Sequence, residues 1–396
     1  MRIPPTIASA NDLRLDGTVR VSFAHRVRFV RGAMRSVDGR PSPLAAAIAE
    51  ATADDGGFRG RLLPVLDSNL ARAQPALEPS IADALRAGGA AMPEVLPALV
   101  VPGGERAKND PAVLEAILDA LDRGRVCRRS ILLAAGGGAV LDVAGFASAT
   151  FHRGVRLVRL PTTTLAQDDA AMGVKNGVNR GGKKNLLGAF AVPSAVLCDL
   201  ELLRTLPDRE FLAGFSEAVK IAVIRDAALF DRIERDAEAI RARDETAAEW
   251  VIRRCAELHL RHILEGGDPF ETGTARPLDF GHWSAHRLES MTGHRVLHGE
   301  AVAVGIALDA TIAALESRLD RASARRIILA LRALGLPTFD DALRDSAGLL
   351  AGLEEFREHL GGAASLAMPT RIGASTDAPP PSAELVRRAI DELARS

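Results

Sequence analysis

Between residues 61 and 160 the chain carries four short apolar runs, Arg61-Leu-Leu-Pro-Val-Leu-Asp67, Ala98-Leu-Val-Val-Pro102, Ile131-Leu-Leu-Ala-Ala135 and Val155-Arg-Leu-Val-Arg-Leu160. Each is bounded by Gly, Pro or Asp. Such runs suit the strands of a parallel sheet covered on both faces. With helical stretches between them, the first ~200 residues read as alternating strands and helices, an α/β arrangement. Beyond Leu203 the texture changes. Residues 209–243, 244–264, 300–319 and 321–334 are dense in Ala, Glu, Leu, Ile and Arg at helical spacing. The expected organisation is an α/β domain over 1–205, with 1–20 as an extended arm, and an all-helical domain over 206–396. Ser375 to Pro381, ending in three consecutive prolines, reads as a surface linker before a last helix at 382–394.

Composition excludes some classes of partner. Fifty basic residues against fifty-one acidic ones give a net charge of -1, so neither nucleic acid nor a membrane surface is expected as partner. No apolar run is expected to approach the ~18 residues of a membrane span. The start, Met1-Arg-Ile-Pro-Pro-Thr6, has no signal-peptide pattern. Cys127, Cys198 and Cys255 form neither a disulfide framework nor a CxxC pair, which points to a reducing, cytoplasmic location. The chain contains no tyrosine, so tyrosine is not its catalytic acid.

Four features carry chemistry. Gly136-Gly-Gly138 joins the run at 131–135 to a helical segment beginning at Ala139. Strand, glycine turn and helix together place backbone N–H groups where a phosphate docks. The turns at Asp67-Ser-Asn69 and Gly103-Gly-Glu-Arg-Ala-Lys108 also follow strands, and all three fit the carboxyl edge of one sheet, where open α/β folds bind ligands. The second feature is a polar block in which Lys175, Arg180, Lys183, Lys184 and Asn185 cluster among glycines. It suits a phosphate monoester, the competing reading being a solvated basic loop. Asp168 and Asp169 in the same block suit ribose or sugar hydroxyls. Third, Glu217 and Lys220 stand at i and i+3 in an otherwise apolar helix, the mark of an enclosed polar site. Fourth, His282, His286 and His298 fall within seventeen residues of a chain with nine histidines. They form a metal site, an acid–base site or both. His294, in a polar turn, reads as solvated.

The order Gly-Gly-Glu-x-x-Lys108, Gly-Gly-Gly-x-x-x-Asp142, Arg153-Gly-Val, Pro-Thr162-Thr163, Lys175, Lys184-Asn185, Leu-Pro-x-Arg-Glu210, Glu217-x-x-Lys220, Phe-Gly-His282 and Leu-His298-Gly-Glu resembles the sugar phosphate cyclases, the 3-dehydroquinate synthase-like superfamily, over roughly residues 60 to 373. The resemblance implies a Rossmann-like N-terminal nucleotide-binding domain and a helical C-terminal domain that binds metal and substrate. It further implies bound NAD, one zinc or cobalt ion, and a homodimer. It assigns the metal ligands to Glu217, His282 and His298, with His286 as a proton-transfer residue. NAD contacts carry over to Asp67, Asn69, Glu105, Lys108, Gly137, Gly138, Asp142, Thr162, Thr163 and Thr205. Substrate contacts carry over to Lys175, Lys184, Asn185, Lys220, Asp169, Asp279 and His286, with Arg153 reaching across the dimer interface. Lys220, His286, Asp169 and Lys175 are the implied catalytic residues. The implied chemistry is oxidation of a ring alcohol, β-elimination of phosphate, reduction and intramolecular aldol closure, with NAD recycled.

Departures from the family bear on the substrate. His259 stands where dehydroquinate synthases hold a carboxylate-binding lysine. Ala275 stands at the partner arginine, with Arg276 displaced by one residue, and Asp279 replaces an asparagine. The late lysine is replaced by the Ala363-Ala364-Ser365 stretch. An aspartate repels a carboxylate but accepts hydrogen bonds from hydroxyls. Sedoheptulose 7-phosphate is therefore the expected substrate, and Gln-Asp-Asp169 and Gly-His282-Trp-Ser-Ala-His286 resemble the 2-epi-valiolone synthase-like group of the C7-cyclitol branch. His286 departs from the proline of the 2-epi-5-epi-valiolone synthases. The competing expectations are a dehydroquinate synthase using Arg276, a metal-dependent alcohol dehydrogenase, and a non-catalytic paralogue.

Overall fold

The computed structural model describes residues 16–181, 183–270, 277–359 and 365–395. In chain order its strands are β1 (Val27–Val30), β2 (Arg61–Asp67), β3 (Glu94–Val95), β4 (Leu99–Val101), β5 (Ile131–Gly136), β6 (Arg156–Pro161), β7 (Lys175–Arg180), β8 (Lys183–Phe190), β9 (Ala195–Asp199), β10 (Leu366–Arg371) and β11 (Ala374–Ala378). Seven of them form one parallel sheet of order β1-β9-β6-β5-β2-β3, with β4 beside the end of β2.

Alternation along the central strands explains why their sequences are apolar almost throughout. Leu63, Val65, Leu132, Ala134, Leu157 and Val196 point to one face, where the helices Pro111–Arg123 and Gly138–Thr150 cover them. Leu62, Leu66, Ile131, Leu133, Val158 and Leu197 point to the other, under Pro43–Ala51 and Leu77–Ala87. With period two, both faces of each strand are buried, as a doubly covered parallel sheet requires. The pairs Asp67↔Val101 and Gly136↔Pro161 bring the ends of β2, β4, β5 and β6 level at the carboxyl edge. The glycine and aspartate turns read from the sequence do meet there.

Helices follow β9 and share a second large core. The central one, His298–Leu315, is long and apolar enough to cross a membrane, contrary to the expectation that no such run exists. Its apolarity has another cause. Residues Ala301 to Ala313 are all buried in the helical core, so the helix has no polar face to present. The last region is also not entirely helical, because β10 and β11 form an antiparallel hairpin. The stretch read as a linker therefore contains a strand, Ala374–Ala378, and only the prolines after it are irregular. β10 buries Leu366, Ala367 and Met368 in the helical core, which draws β11 into pairing.

The β7–β8 hairpin packs on the helix Gly138–Thr150. The fully buried Arg159 of β6 anchors its base, donating to the carbonyls of Ala171 at 3.1 Å, Gly173 at 2.6 Å and Lys175 at 3.3 Å, and to Asn176 Oδ1 at 2.7 Å. The polar block is thus a hydrogen-bonded ribbon tied to the sheet.

Candidate active site

At the carboxyl edge of the sheet, Gly137 precedes the helix Gly138–Thr150, and no side chain caps the first N–H groups of that helix. An uncapped helix start beside glycines is built to receive a phosphate oxygen. The other predicted dinucleotide residues surround this turn. Asp67 is buried and caps the next helix through Asn69 N at 2.7 Å. Lys108, almost fully buried, pairs with Asp142 at 2.5 Å and also donates to Asn185 Oδ1. Burial alone would lower the Lys108 ammonium, but Asp142 and Glu105 outweigh it and hold its pKa above the ordinary value. Thr162 N reaches Gly136 O at 3.0 Å, and Thr163 Oγ1 accepts from Ala166 N at 3.1 Å. Thr205, exposed, accepts from Gln74 at 2.8 Å.

Across the hairpin, ten of the eleven residues of the helix Phe215–Arg225 are buried, Glu217 and Lys220 among them. Charges in such surroundings persist only when paired. Lys220 Nζ lies 2.5 Å from Glu217 Oε2 and 3.9 Å from Asp169 Oδ1, and His259 Nδ1 lies 2.8 Å from that same Asp169 oxygen. Burial would raise the Glu217 carboxyl, but Lys220 overrides it and keeps the acid ionised. Asp169 is likewise held down by Lys220 and His259. Burial would lower Lys220, and the two carboxylates raise it. Neighbouring Asp168 behaves in the opposite way. Fully buried, with neither oxygen hydrogen-bonded, it is raised well above the carboxylate range by burial and by the charges of Asp169 and Glu217.

The buried Oε1 of Glu217 has no hydrogen-bond donor and faces His282 Nε2 at 3.5 Å and His298 Nε2 at 3.7 Å. Tetrahedral zinc with donors at about 2.0–2.2 Å spaces them about 3.3–3.6 Å apart. Both imidazoles are oriented for this. His282 Nδ1 engages Phe280 O at 3.0 Å and His298 Nδ1 engages Glu289 at 2.9 Å, so each Nε2 is turned toward Glu217. The residues present therefore fit a divalent ion. His286 comes close as well, since nitrogens of all three histidines lie within 4.8 Å of one another. Burial, reinforced by His282, Lys184 and His298, pushes His286 well below the ordinary histidine value and favours its neutral form.

Backbone packing sets this geometry. Gly281, at φ 78°, turns the chain into the helix His282–Met291, and its carbonyl lies where a side chain on Gly305 would be. Asp309 fixes the same turn, accepting from Gly281 N at 2.9 Å and Trp283 Nε1 at 2.8 Å.

Other predicted residues fall as follows. Lys184 reaches Glu289 at 2.8 Å and Glu105 at 3.8 Å. Asn185, at φ 52°, donates its N–H to Asn179 Oδ1 at 2.8 Å. Lys175 opens β7 with an exposed side chain, and Asp279 lies near enough to raise Lys220. Arg153 is not brought to this site. It is exposed at the far end of the helix Gly138–Thr150, about 20 Å from the glycine turn by helical rise. Ala275, Arg276, Ala363 and Ala364 lie outside the described residues. Sequence reasoning missed Glu289, Asn179, Asp309 and the anchoring by Arg159. Glu289 had a signal, since 282, 286 and 289 share one helix face.

Comparisons with known proteins agree with this architecture. Residues 98–213 match the family model for the 3-dehydroquinate synthase N-terminal region, and 214–351 that for the 3-dehydroquinate synthase C-terminal region. The chain is 40% identical over 292 residues to a 3-dehydroquinate synthase from Koribacter versatilis (strain Ellin345), covering 73% of this chain and 78% of that protein. It is 38% identical over 302 residues to a 2-epi-5-epi-valiolone synthase from Streptomyces glaucescens, covering 74% and 76%. The solved structure of ValA, the 2-epi-5-epi-valiolone synthase from Streptomyces hygroscopicus subsp. jinggangensis 5008 with NAD+ and Zn2+ bound, matches with a TM-score of 0.85 at 27% identity, covering 96% of this chain and 99% of that one. The chain belongs to the 3-dehydroquinate synthase family.

Proposed function

We infer that the protein is an NAD- and divalent-metal-dependent sugar phosphate cyclase that converts sedoheptulose 7-phosphate to a C7 carbocycle with loss of phosphate. The glycine turn with Asp67, Lys108 and Asp142 would hold NAD, and Glu217, His282 and His298 would hold zinc or cobalt. When bound, the metal polarises a ring alcohol and NAD exchanges a hydride with it. Lys220 and Asp169 orient the neighbouring hydroxyls. His286, neutral by burial, accepts or returns a proton at a ring nitrogen. Lys175, Lys184 and Asn185 hold the phosphate. A second copy would supply Arg153, which lies too far along its helix to serve its own site.

The two sequence relatives, 40% and 38% identical, carry different activities, so identity does not choose the substrate. The observation that carries the choice is the 2.8 Å contact of His259 with Asp169. Where a dehydroquinate synthase offers a lysine to a substrate carboxylate, this chain has an imidazole that already lies against a carboxylate of the protein. Each of sedoheptulose 7-phosphate and the carboxylated heptulosonate 7-phosphate is to be incubated with the enzyme and the carbocycle identified by NMR. Turnover of the first is expected, and turnover of the carboxylated ester alone overturns the assignment. Chelation should abolish phosphate release, and zinc or cobalt should restore it.

A further inference from the structure

Glu289 is 3% exposed and lies on the inner face of the helix His282–Met291. Each of its oxygens is used by a different part of the protein. Oε2 meets His298 Nδ1 at 2.9 Å, and Oε1 meets Lys184 Nζ at 2.8 Å. His298 opens a helix of the second core, whereas Lys184 belongs to the β7–β8 hairpin. Lys184 continues to Glu105 at 3.8 Å, and Glu105 accepts from Asn179 at 2.6 Å. A line of charged and hydrogen-bonded groups thus runs from a histidine facing Glu217 to the turn after β4, and Glu289 is its only member on the helix His282–Met291.

We propose that Glu289 is a positioning residue that clamps His298 and Lys184 together, so that metal retention at the histidines is coupled to the state of the hairpin. The inference rests on the metal reading of Glu217, His282 and His298. A carboxylate on Nδ1 fixes the imidazole with that nitrogen protonated and the Nε2 lone pair directed at the ion. Losing such a partner costs about 10–100-fold in metal affinity. The ammonium of Lys184 holds the carboxylate from the other side and limits its rotation. Coupling of this kind is reciprocal, so whatever orders the hairpin tightens the metal, and the metal orders the hairpin.

The test titrates metal-stripped protein with Co(II), followed by its d–d absorption, in wild type, Glu289→Gln and Lys184→Met. Thermal melts of the stripped proteins verify that each is folded. A glutamine has one acceptor oxygen for two donors, so E289Q should bind Co(II) about 10–100-fold more weakly with an altered spectrum. K184M lies on the largely exposed strand β8 and removes no contact to a histidine, yet it should weaken Co(II) by about fivefold, the lower end of typical coupling. An E289Q variant with wild-type affinity and spectrum overturns the positioning role. A K184M variant indistinguishable from wild type overturns the coupling, even if E289Q cannot be made. Wild-type protein that binds no Co(II) instead removes the metal reading, a failure seen before either variant is compared.

Discussion

Asp309 accepts from Gly281 N and from the Trp283 indole, one donor per carboxylate oxygen, and so holds both neighbours of His282. Burial outweighs these two hydrogen bonds and moves its pKa from 3.8 up to about 7. The folded protein therefore keeps a proton that the unfolded chain releases above pH 4. The stabilisation is complete below the unfolded value and is lost as pH rises through about 7, by up to about 4 kcal/mol. Asp309→Asn should abolish this component while costing about 1–3 kcal/mol for the donor left unpaired. Urea unfolding at pH 4.5 and 7.5 checks this, and an equal pH dependence in both proteins contradicts it. At this scale the sequence was informative where charge stood in apolar surroundings, as at Glu217 and Lys220. It was silent where a role depends on distant partners. Nothing near Asp309 in the chain marks it as the acceptor for Gly281, and the helix face that Glu289 shares with His282 and His286 does not reveal its tie to Lys184.

The helix His298–Leu315 approaches the Gly281 turn because Gly305 has no side chain. In Gly305→Ala the added methyl would meet the Gly281 carbonyl, a backbone atom that cannot swing aside. Unfolding free energy should drop by about 1–3 kcal/mol, as for other overpacked cores. Co(II) affinity should fall too, since His282 follows that turn directly. An alanine variant with unchanged melting and metal binding would remove the close approach from the account. Among the elements, β2, β5 and β6 were legible because burial on both faces leaves an unbroken apolar record, whereas β9, equally buried, went unread. β1, with Arg28 at its centre, and the polar hairpin β7–β8 were not, because their pairing answers to Arg159 and the neighbouring strand. The β10–β11 hairpin was hidden by the prolines that follow it.

For the whole molecule, the change of texture past Leu203 corresponds to the passage from the sheet's two cores to the helical one. The sequence could not show that one helix, Gly138–Thr150, begins at the glycine turn and ends beside Arg153, because that is a matter of direction in space. The three proposed metal donors are distributed unevenly along the chain. Glu217, His282 and His298 lie on three separate helices, and Glu217 precedes the two histidines by more than sixty residues. No short segment presents all three, so the complete donor set exists only once these helices have packed together. Refolding from urea should therefore proceed at the same rate with and without zinc, followed by a slower, zinc-dependent gain of activity. A folding rate that rises with zinc concentration would contradict this order. The ion is then a late arrival in the life of each molecule, and metal supply would govern how many finished copies work without altering how many are made.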